Sequence, residues 1–289
     1  MKEIVVLSGK GGTGKTILVA SFATLAEDKV MADCDVDAAD LYLLLQPSIK
    51  KTEEFWSGKT AFIDKKFCTG CGVCEEVCRF GAIENFKVNP ISCEGCGFCF
   101  HVCPEKTITM KDNLAGHWFI SDTRYGPLVY ARLGIAQENS GKLVAVVRQN
   151  ARRLAEERGL SYIISDGPPG IGCPVISSLS GANLALLVTE PTLSGMHDLD
   201  RILGVCRHFG VPAVVCINKY DLNEENARQI EGLCQRQEVE VISRLPFDNV
   251  VTEALVQGLP VVEYSEDGIV GEIKALWHRV STILARADN

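Results

Sequence analysis

Two runs of cysteine in this chain share one spacing. Cys68, Cys71, Cys74 and Cys78 stand as C-x2-C-x2-C-x3-C, and Cys93, Cys96, Cys99 and Cys103 repeat the pattern position for position. Thiolates at such gaps are metal ligands, because a tight turn of backbone brings successive sulfurs to a common centre. A second kind of chemistry sits near the start of the sequence, where GKGGTGKT (9–16) fits G-x4-G-K-T. Gly9, Gly11, Gly12, Thr13 and Gly14 would wrap backbone N–H groups around phosphate oxygens. Lys15 would reach the β- and γ-phosphates of a nucleotide, and Thr16 would hold Mg2+.

These residues need elements to position them. The apolar runs EIVVLS (3–8), YIISD (162–166), LALLVT (184–189) and AVVCIN (213–218) read as buried parallel strands, with KVMADCD (29–35) as another. Helical stretches are expected over 15–27, 140–158, 194–209 and 224–236. Alternating strand and helix predicts an α/β fold with a doubly wound, mostly parallel sheet. The phosphate segment then follows a strand and opens a helix, whose N-terminus adds to anion binding. From Phe62 to Met110 that alternation gives way to Cys-Gly punctuation. The expected organisation is therefore a main domain over 1–61 and 111–289, with a small α+β domain inserted at 62–110. The insert enters after the second strand and carries an internal repeat.

The composition sets bounds. The 37 acidic residues outnumber the 29 basic ones, for a net charge of −8, which argues against broad electrostatic binding of nucleic acid. Hydrophobic residues make up 46% of the 289, enough for a sizeable core. No apolar stretch reaches the roughly 18 residues that a membrane span needs. Met1 leads straight into a strand-like run without a targeting segment, so a cytoplasmic location is expected, and with it metal ligation rather than disulfides. The stretch IVGEIKALWHRVSTILAR (269–286) is amphipathic, with Ile269, Ile273, Leu276, Trp277, Val280, Ile283 and Leu284 on one face. It reads as a last helix packed on the sheet, the alternative being a membrane-surface helix with Lys274, Arg279 and Arg286 outward.

Lys10 turns the phosphate segment into K-G-G-x-G-K-T. This resembles the deviant Walker A loop of the MinD/ParA/Mrp superfamily within the SIMIBI P-loop class, to which the nitrogenase iron protein also belongs. The resemblance implies a P-loop NTPase fold, ATP as ligand, and a nucleotide-sandwich dimer in which Lys10 crosses to the partner's phosphates; an ordinary exposed loop lysine is the alternative. DCDVDAADL (33–41) resembles switch I, where Asp35, or else Asp37, would position the attacking water, and Asp33 would close the strand or touch Mg2+ indirectly. IISDGPPGIG (163–172) resembles Walker B and switch II. There Asp166 would reach Mg2+ through water, and Gly167, Gly170 and Gly172 would let the loop move with the γ-phosphate. CINKYDL (216–222) resembles the base-recognition segment, with Asn218 near the adenine. LPFD (245–248) resembles the loop bordering the base, which places Pro246 there. No arginine finger is visible, and Lys10 from the partner would supply that charge.

The cysteine runs resemble those of two-cluster bacterial ferredoxins, in which the fourth cysteine of each run ligates the other cluster. The resemblance implies one 4Fe-4S cluster on Cys68, Cys71, Cys74 and Cys103, and a second on Cys93, Cys96, Cys99 and Cys78. Gly72 and Gly97 would leave room and free N–H groups for the inorganic sulfides. The second run ends in Cys-Pro, whereas the first ends in Cys78-Arg79, and that positive charge would favour the reduced form of the neighbouring cluster. Two zinc sites of four thiolates each are the alternative. Of the other cysteines, Cys206, Cys216 and Cys234 read as small buried hydrophobes and Cys34 as pointing into the sheet. Cys173 follows the switch II segment, either packed beside Pro174 or facing a site shared between two subunits. A second cysteine for such a site is missing from QENSGKLV (137–144).

The reading that joins these features is an iron–sulfur ATPase. ATP binding, Mg-dependent hydrolysis and dimerisation, as a homodimer or with a paralogue, would be coupled to electron transfer or to metallocluster assembly in a partner protein. The runner-up is a MinD/ParA-like spatial organiser with a redox-sensing insert. A third is a ferredoxin docked on an inert scaffold, against which the intact Lys15, Thr16, Asp35 and Asp166 speak.

Overall fold

The computed structural model describes residues 1–134 and 139–286, which fall into two compact units. Met1–Thr52, Phe119–Ala131 and Gly141–Asn289 form the first; Glu53–Trp118 and Arg132–Ser140 form the second. The first opens with β1 (Lys2–Ser8), α1 (Lys15–Leu25), β2 (Lys29–Asp33) and α2 (Leu41–Leu45). The chain leaves it within β3 (Ser48–Ile63). In the second unit it forms α3 (Val73–Glu76), β4 (Ile83–Glu84), β5 (Lys87–Val88) and α4 (Phe98–Val102). It returns within β6 (Ile108–Thr123) and continues as β7 (Gly126–Leu133), α5 (Ser140–Arg158), β8 (Tyr162–Pro169) and α6 (Cys173–Leu179). The remainder is β9 (Leu184–Thr189), α7 (Leu193–His208), β10 (Ala213–Asn218), α8 (Glu224–Arg236), β11 (Glu240–Leu245), α9 (Asn249–Val256), α10 (Val261–Tyr264) and α11 (Ile269–Arg286).

The sheet of the first unit runs in the order β11-β10-β9-β1-β8-β2-β7, every pair parallel. Its central strands carry side chains to two separate cores, which is why they read as unbroken apolar runs. Along β1, Ile4 and Val6 pack with α1 and α11, whereas Val5 and Leu7 pack with α6, α7 and α8. The doubly wound, mostly parallel sheet is thus present. The loop after β1 and the ends of β2, β8 and β10 come together at the carboxyl edge of the strands, where such sheets bind ligands.

The helix expected over 15–27 stops at Leu25, because Asp28 takes φ 46 and the chain turns into β2. The strands β3 and β6 were not read from the sequence. Both are long and mostly polar at the surface, so no apolar run announces them. In the second unit a small core of Ala61, Ile63, Cys74, Ile83 and Ile108 supports the cysteine loops.

The C-terminal helix α11 buries Ile269, Val270, Ile273, Leu276, Val280 and Leu284 in the core beneath α1. Trp277 packs on Phe22, with ring centroids 5.1 Å apart. Its apolar face is therefore committed to the protein, and no helix among the described residues is long and apolar enough to cross a membrane. Leu276 is fully buried. Leu276→Ala is expected to lower unfolding free energy by about 2–5 kcal/mol in a denaturant titration, the range for truncating a packed leucine.

Candidate functional site

The loop between β1 and α1 floors a groove of about 680 Å3. Gly11, Gly12, Thr13, Gly14, Lys15 and Thr16 line it, joined by Asp35 and Asp37 after β2, Asn218 and Lys219 after β10, and Pro246 after β11. The volume suits a nucleotide-sized ligand. Gly14 takes φ 89 as the residue before α1, and a Cβ there would collide with the Asn218 amide. Asn218 Nδ2 donates to Thr13 O at 2.8 Å, so the base-side strand holds the phosphate-side loop directly.

Lys15 is the electrostatic centre of the floor. Its Nζ lies 2.8 Å from Asp166 Oδ1 and 3.8 Å from Asp35 Oδ2. Burial by itself lowers the lysine's pKa, but the charge and hydrogen bond of Asp166, followed by Asp35 and Asp33, raise it overall. Burial pushes the Asp35 carboxyl up to about 6, Lys15 opposing and Asp166 adding to the rise. Asp33 is fully buried, and burial and then the Asp166 charge hold it well above the ordinary carboxylate range. Asp33 also accepts the backbone N–H groups of Asp35 and Leu41 at 3.2 Å each. It shapes the turn that presents Asp35, and sequence reasoning gave it too small a part.

Three expected residues are not part of the groove's lining: Asp166 is buried behind Lys15, and the other two stand apart from it. Gly9 is a packing position, where a Cβ would strike Asp198. Lys10 turns to its own chain: Nζ lies 3.3 Å from Glu190 Oε2 and donates to Thr192 Oγ1 at 3.2 Å and Ser194 Oγ at 3.4 Å. Glu190 in turn holds Lys219 Nζ at 2.6 Å. The rest of the wall on that side, Phe247, Asp248, Thr252, Leu255 and Ile273, went unread beyond the quoted LPFD, because it belongs to one short loop and two helices rather than one motif.

The second unit holds two cavities ringed by thiols. Cys68, Cys71, Cys74 and Cys103 line the first, which is drawn in to about 20 Å3. Cys78, Cys93, Cys96 and Cys99 line the second, which opens to about 590 Å3. Each ring thus takes three cysteines from one run and the fourth from the other. Gly72 and Gly97, at φ 80 and 74, start α3 and α4 and swing each run around its ring. The two crossing thiols both have hydrogen-bond partners. The Ala82 N–H reaches Cys78 Sγ at 3.3 Å, and the Thr107 hydroxyl lies 3.5 Å from Cys103 Sγ. Burial raises the Cys103 thiol, but the Thr107 hydroxyl and nearby backbone N–H groups outweigh it and leave the pKa lowered. Arg79 lines the wider cavity, its guanidinium 4.9 Å from the Phe80 ring centre. Among the described residues, no group of His, Cys, Asp or Glu side chains converges tightly enough for a single metal ion.

Cys34, Cys206, Cys216 and Cys234 are buried, and burial pushes the Cys234 thiol up to about 11. Cys173 is exposed at the start of α6, against Gly141 of α5. Gln137 and Glu138 of the segment set against it lie outside the described residues.

Comparison with known proteins supports the nucleotide-binding fold of the first unit. A family model described as the CobQ/CobB/MinD/ParA nucleotide binding domain matches residues 4–261. An uncharacterized protein of Methanocaldococcus jannaschii is 31% identical over 98% of this chain and 97% of its own length. The cell division ATPase MinD of Pyrococcus furiosus has a similar fold, with TM-score 0.60 at 18% identity over 98% of this chain and 99% of that one. The septum site-determining protein MinD of Pyrococcus horikoshii, solved with Mg-ADP, also reaches TM-score 0.60 at 18% identity, over 99% and 98%.

Proposed function

The chain belongs to the CobQ/CobB/MinD/ParA nucleotide-binding family, and on that premise we propose that it is an iron–sulfur ATPase in which Mg–ATP binding, hydrolysis and dimerisation gate electron transfer to a partner protein. Members of this family are ATPases, and the groove over Lys15 suits that activity. Gly11 to Gly14 would cradle phosphates, and Lys15 would trade its carboxylate partners for β- and γ-phosphate oxygens. Thr16, with Asp166 through water, would hold Mg2+, and Asp35 would orient the attacking water. Lys10 would leave Glu190 and reach a partner's nucleotide. The observation that carries the iron–sulfur half is the pair of four-thiol rings built by exchanging Cys78 and Cys103.

The donor set is of the kind a cluster takes: four thiols line each cavity, three from one run and one from the other. Four thiols around one cavity are the ligand count a cubane would need, whereas one zinc ion would need four sulfurs each about 2.3 Å from it. A 4Fe-4S cluster in each ring would supply one-electron chemistry at low potential. The residues then divide the work. The Ala82 N–H would favour thiolate at Cys78 and the Thr107 hydroxyl would do so at Cys103, Arg79 would add positive charge beside the wider ring, and the narrow ring would have to open to take a cluster. Electron transfer is preferred over metallocluster assembly because all eight insert cysteines are used in closed rings, leaving no spare thiol pair to carry a labile cluster. The spatial-organiser alternative has less support, since α11 keeps its apolar face in the core.

The test is ATPase turnover of the anaerobically reconstituted chain, oxidised and dithionite-reduced. A rate that changes with redox state, and is lost with thiol-ring variants only in its redox dependence, is expected. Equal rates in both states would reject the coupling while leaving the ATPase intact.

A further inference from the structure

The two thiol rings differ in how far they are closed, and one residue of unexpected type stands at the closed one. β4 pairs with β5 as Ile83 with Val88 and Glu84 with Lys87, which leaves Asn85 and Phe86 as a two-residue hairpin loop. Both take positive φ, 49 and 57. A turn of that kind suits Asn at its first position and Gly at its second. A bulky side chain in left-handed backbone is strained, and such strain persists where the side chain is put to use. The Phe86 side chain is half-buried and lines the narrow cavity together with Cys68, Cys71, Cys74 and Cys103. It lies against the loop between Cys68 and Cys71, where a Cβ on Gly70 would stand 3.6 Å from Phe86 Cζ. Glu75 of α3 holds the turn down, its Oε1 accepting the Phe86 N–H at 2.5 Å. By contrast, the two phenylalanines that line the wide cavity, Phe80 and Phe98, are exposed.

We propose that Phe86 is a lid on the narrow ring, latched by Glu75, which slows exchange at that ring and leaves the wide ring as the one that outside molecules reach first. The inference rests on the iron–sulfur reading above and deepens it, by naming the ring of Cys78, Cys93, Cys96 and Cys99 as the open one. Cys71 stays exposed, so the lid narrows access to its ring rather than sealing it. The hairpin is built to move at its tip. Each of its strands has two residues, and Ile83 anchors its base in the small core. Lifting the tip costs the Glu75 hydrogen bond and uncovers the cavity.

Anaerobic extraction of iron by excess EDTA from the chain loaded with iron and sulfide tests this, followed by visible absorbance and released iron. Wild type is expected to lose its iron in two phases of equal size. Cys71→Ala is expected to leave the fast phase alone, because Cys71 lines only the narrow ring. Glu75→Ala frees the latch and is expected to speed the slow phase roughly tenfold, the worth of one hydrogen bond to a charged group. Glu75→Gln keeps an acceptor and is expected to stay close to wild type. Phe86→Gly removes the lid, relaxes the turn and is expected to speed the slow phase at least as much, with the fast phase unchanged. A single phase in wild type, a slow phase that survives Cys71→Ala, or Phe86→Gly speeding both phases alike or neither would overturn the proposal. Failure of wild type to take up iron and sulfide at all would instead overturn the iron–sulfur reading.

Discussion

If the groove over Lys15 holds nucleotide as proposed, Lys15→Ala is expected to abolish thermal stabilisation by Mg–ATP. Lys15 is 6% exposed and faces Asp166 at 2.8 Å and Asp35 at 3.8 Å, with Asp33 fully buried close by. Three carboxylates therefore share one cation. Removing it costs about 3–5 kcal/mol as a broken buried pair, offset in part because Asp33, already pushed up by burial and Asp166, takes a proton. The same deletion leaves an acidic floor facing a polyanionic ligand. In wild type, nucleotide at 100 times its Kd adds about 2.7 kcal/mol, which melting curves at matched concentrations resolve. Lys15→Arg serves as the control for folding. It keeps the charge near Asp166, but its planar fork cannot replace a compact ammonium among phosphates. It is expected to recover most of the ligand-free stability and little of the nucleotide shift. A full Mg–ATP shift in Lys15→Ala would remove Lys15 from the phosphate site.

What the sequence made legible follows from how each part is stabilised. β1, β9 and β10 are buried on both faces, so their apolar runs stand out, and the phosphate loop is a local motif set by glycine conformations. β3 escapes because its exposed residues mix Lys, Thr and Glu with Ile49, Trp56 and Phe62 in no regular alternation, and its pairing comes from a partner distant in sequence. β7 is buried along Pro127–Ala131, yet it lies beyond the insert, where the alternation had already been lost. The expected site residues mostly come together in the groove, but their partners were hidden. The burial of Asp33, the hold of Glu190 on Lys10 and Lys219, and the turn of Asp221 toward Phe247 join residues that are distant in sequence and lie at the ends of different strands. Sequence marks the groups that face a ligand; it does not mark the groups that hold those in place.

The exchange of Cys78 and Cys103 between the runs leads to the other large expected effect, and paired substitutions isolate it. Cys71→Ala is expected to remove one cluster on anaerobic loading with iron and sulfide, halving bound iron, because Cys71 belongs to one ring only. Adding Cys103→Ala should cost no further iron, since Cys103 completes the same ring. Adding Cys78→Ala to Cys71→Ala should instead abolish loading, since Cys78 lies in the other ring. If each run held its own cluster the outcomes would reverse. Cys71 with Cys78 would then spare half the iron, and Cys71 with Cys103 would lose all of it. Iron and sulfide analysis with electron paramagnetic resonance of the reduced protein reads the difference without reference to ATPase activity. The contrast has a structural cause. Each ring lacks a corner unless the other run supplies it, and the core of Ala61, Ile63, Ile83 and Ile108 keeps the two runs in register for that trade.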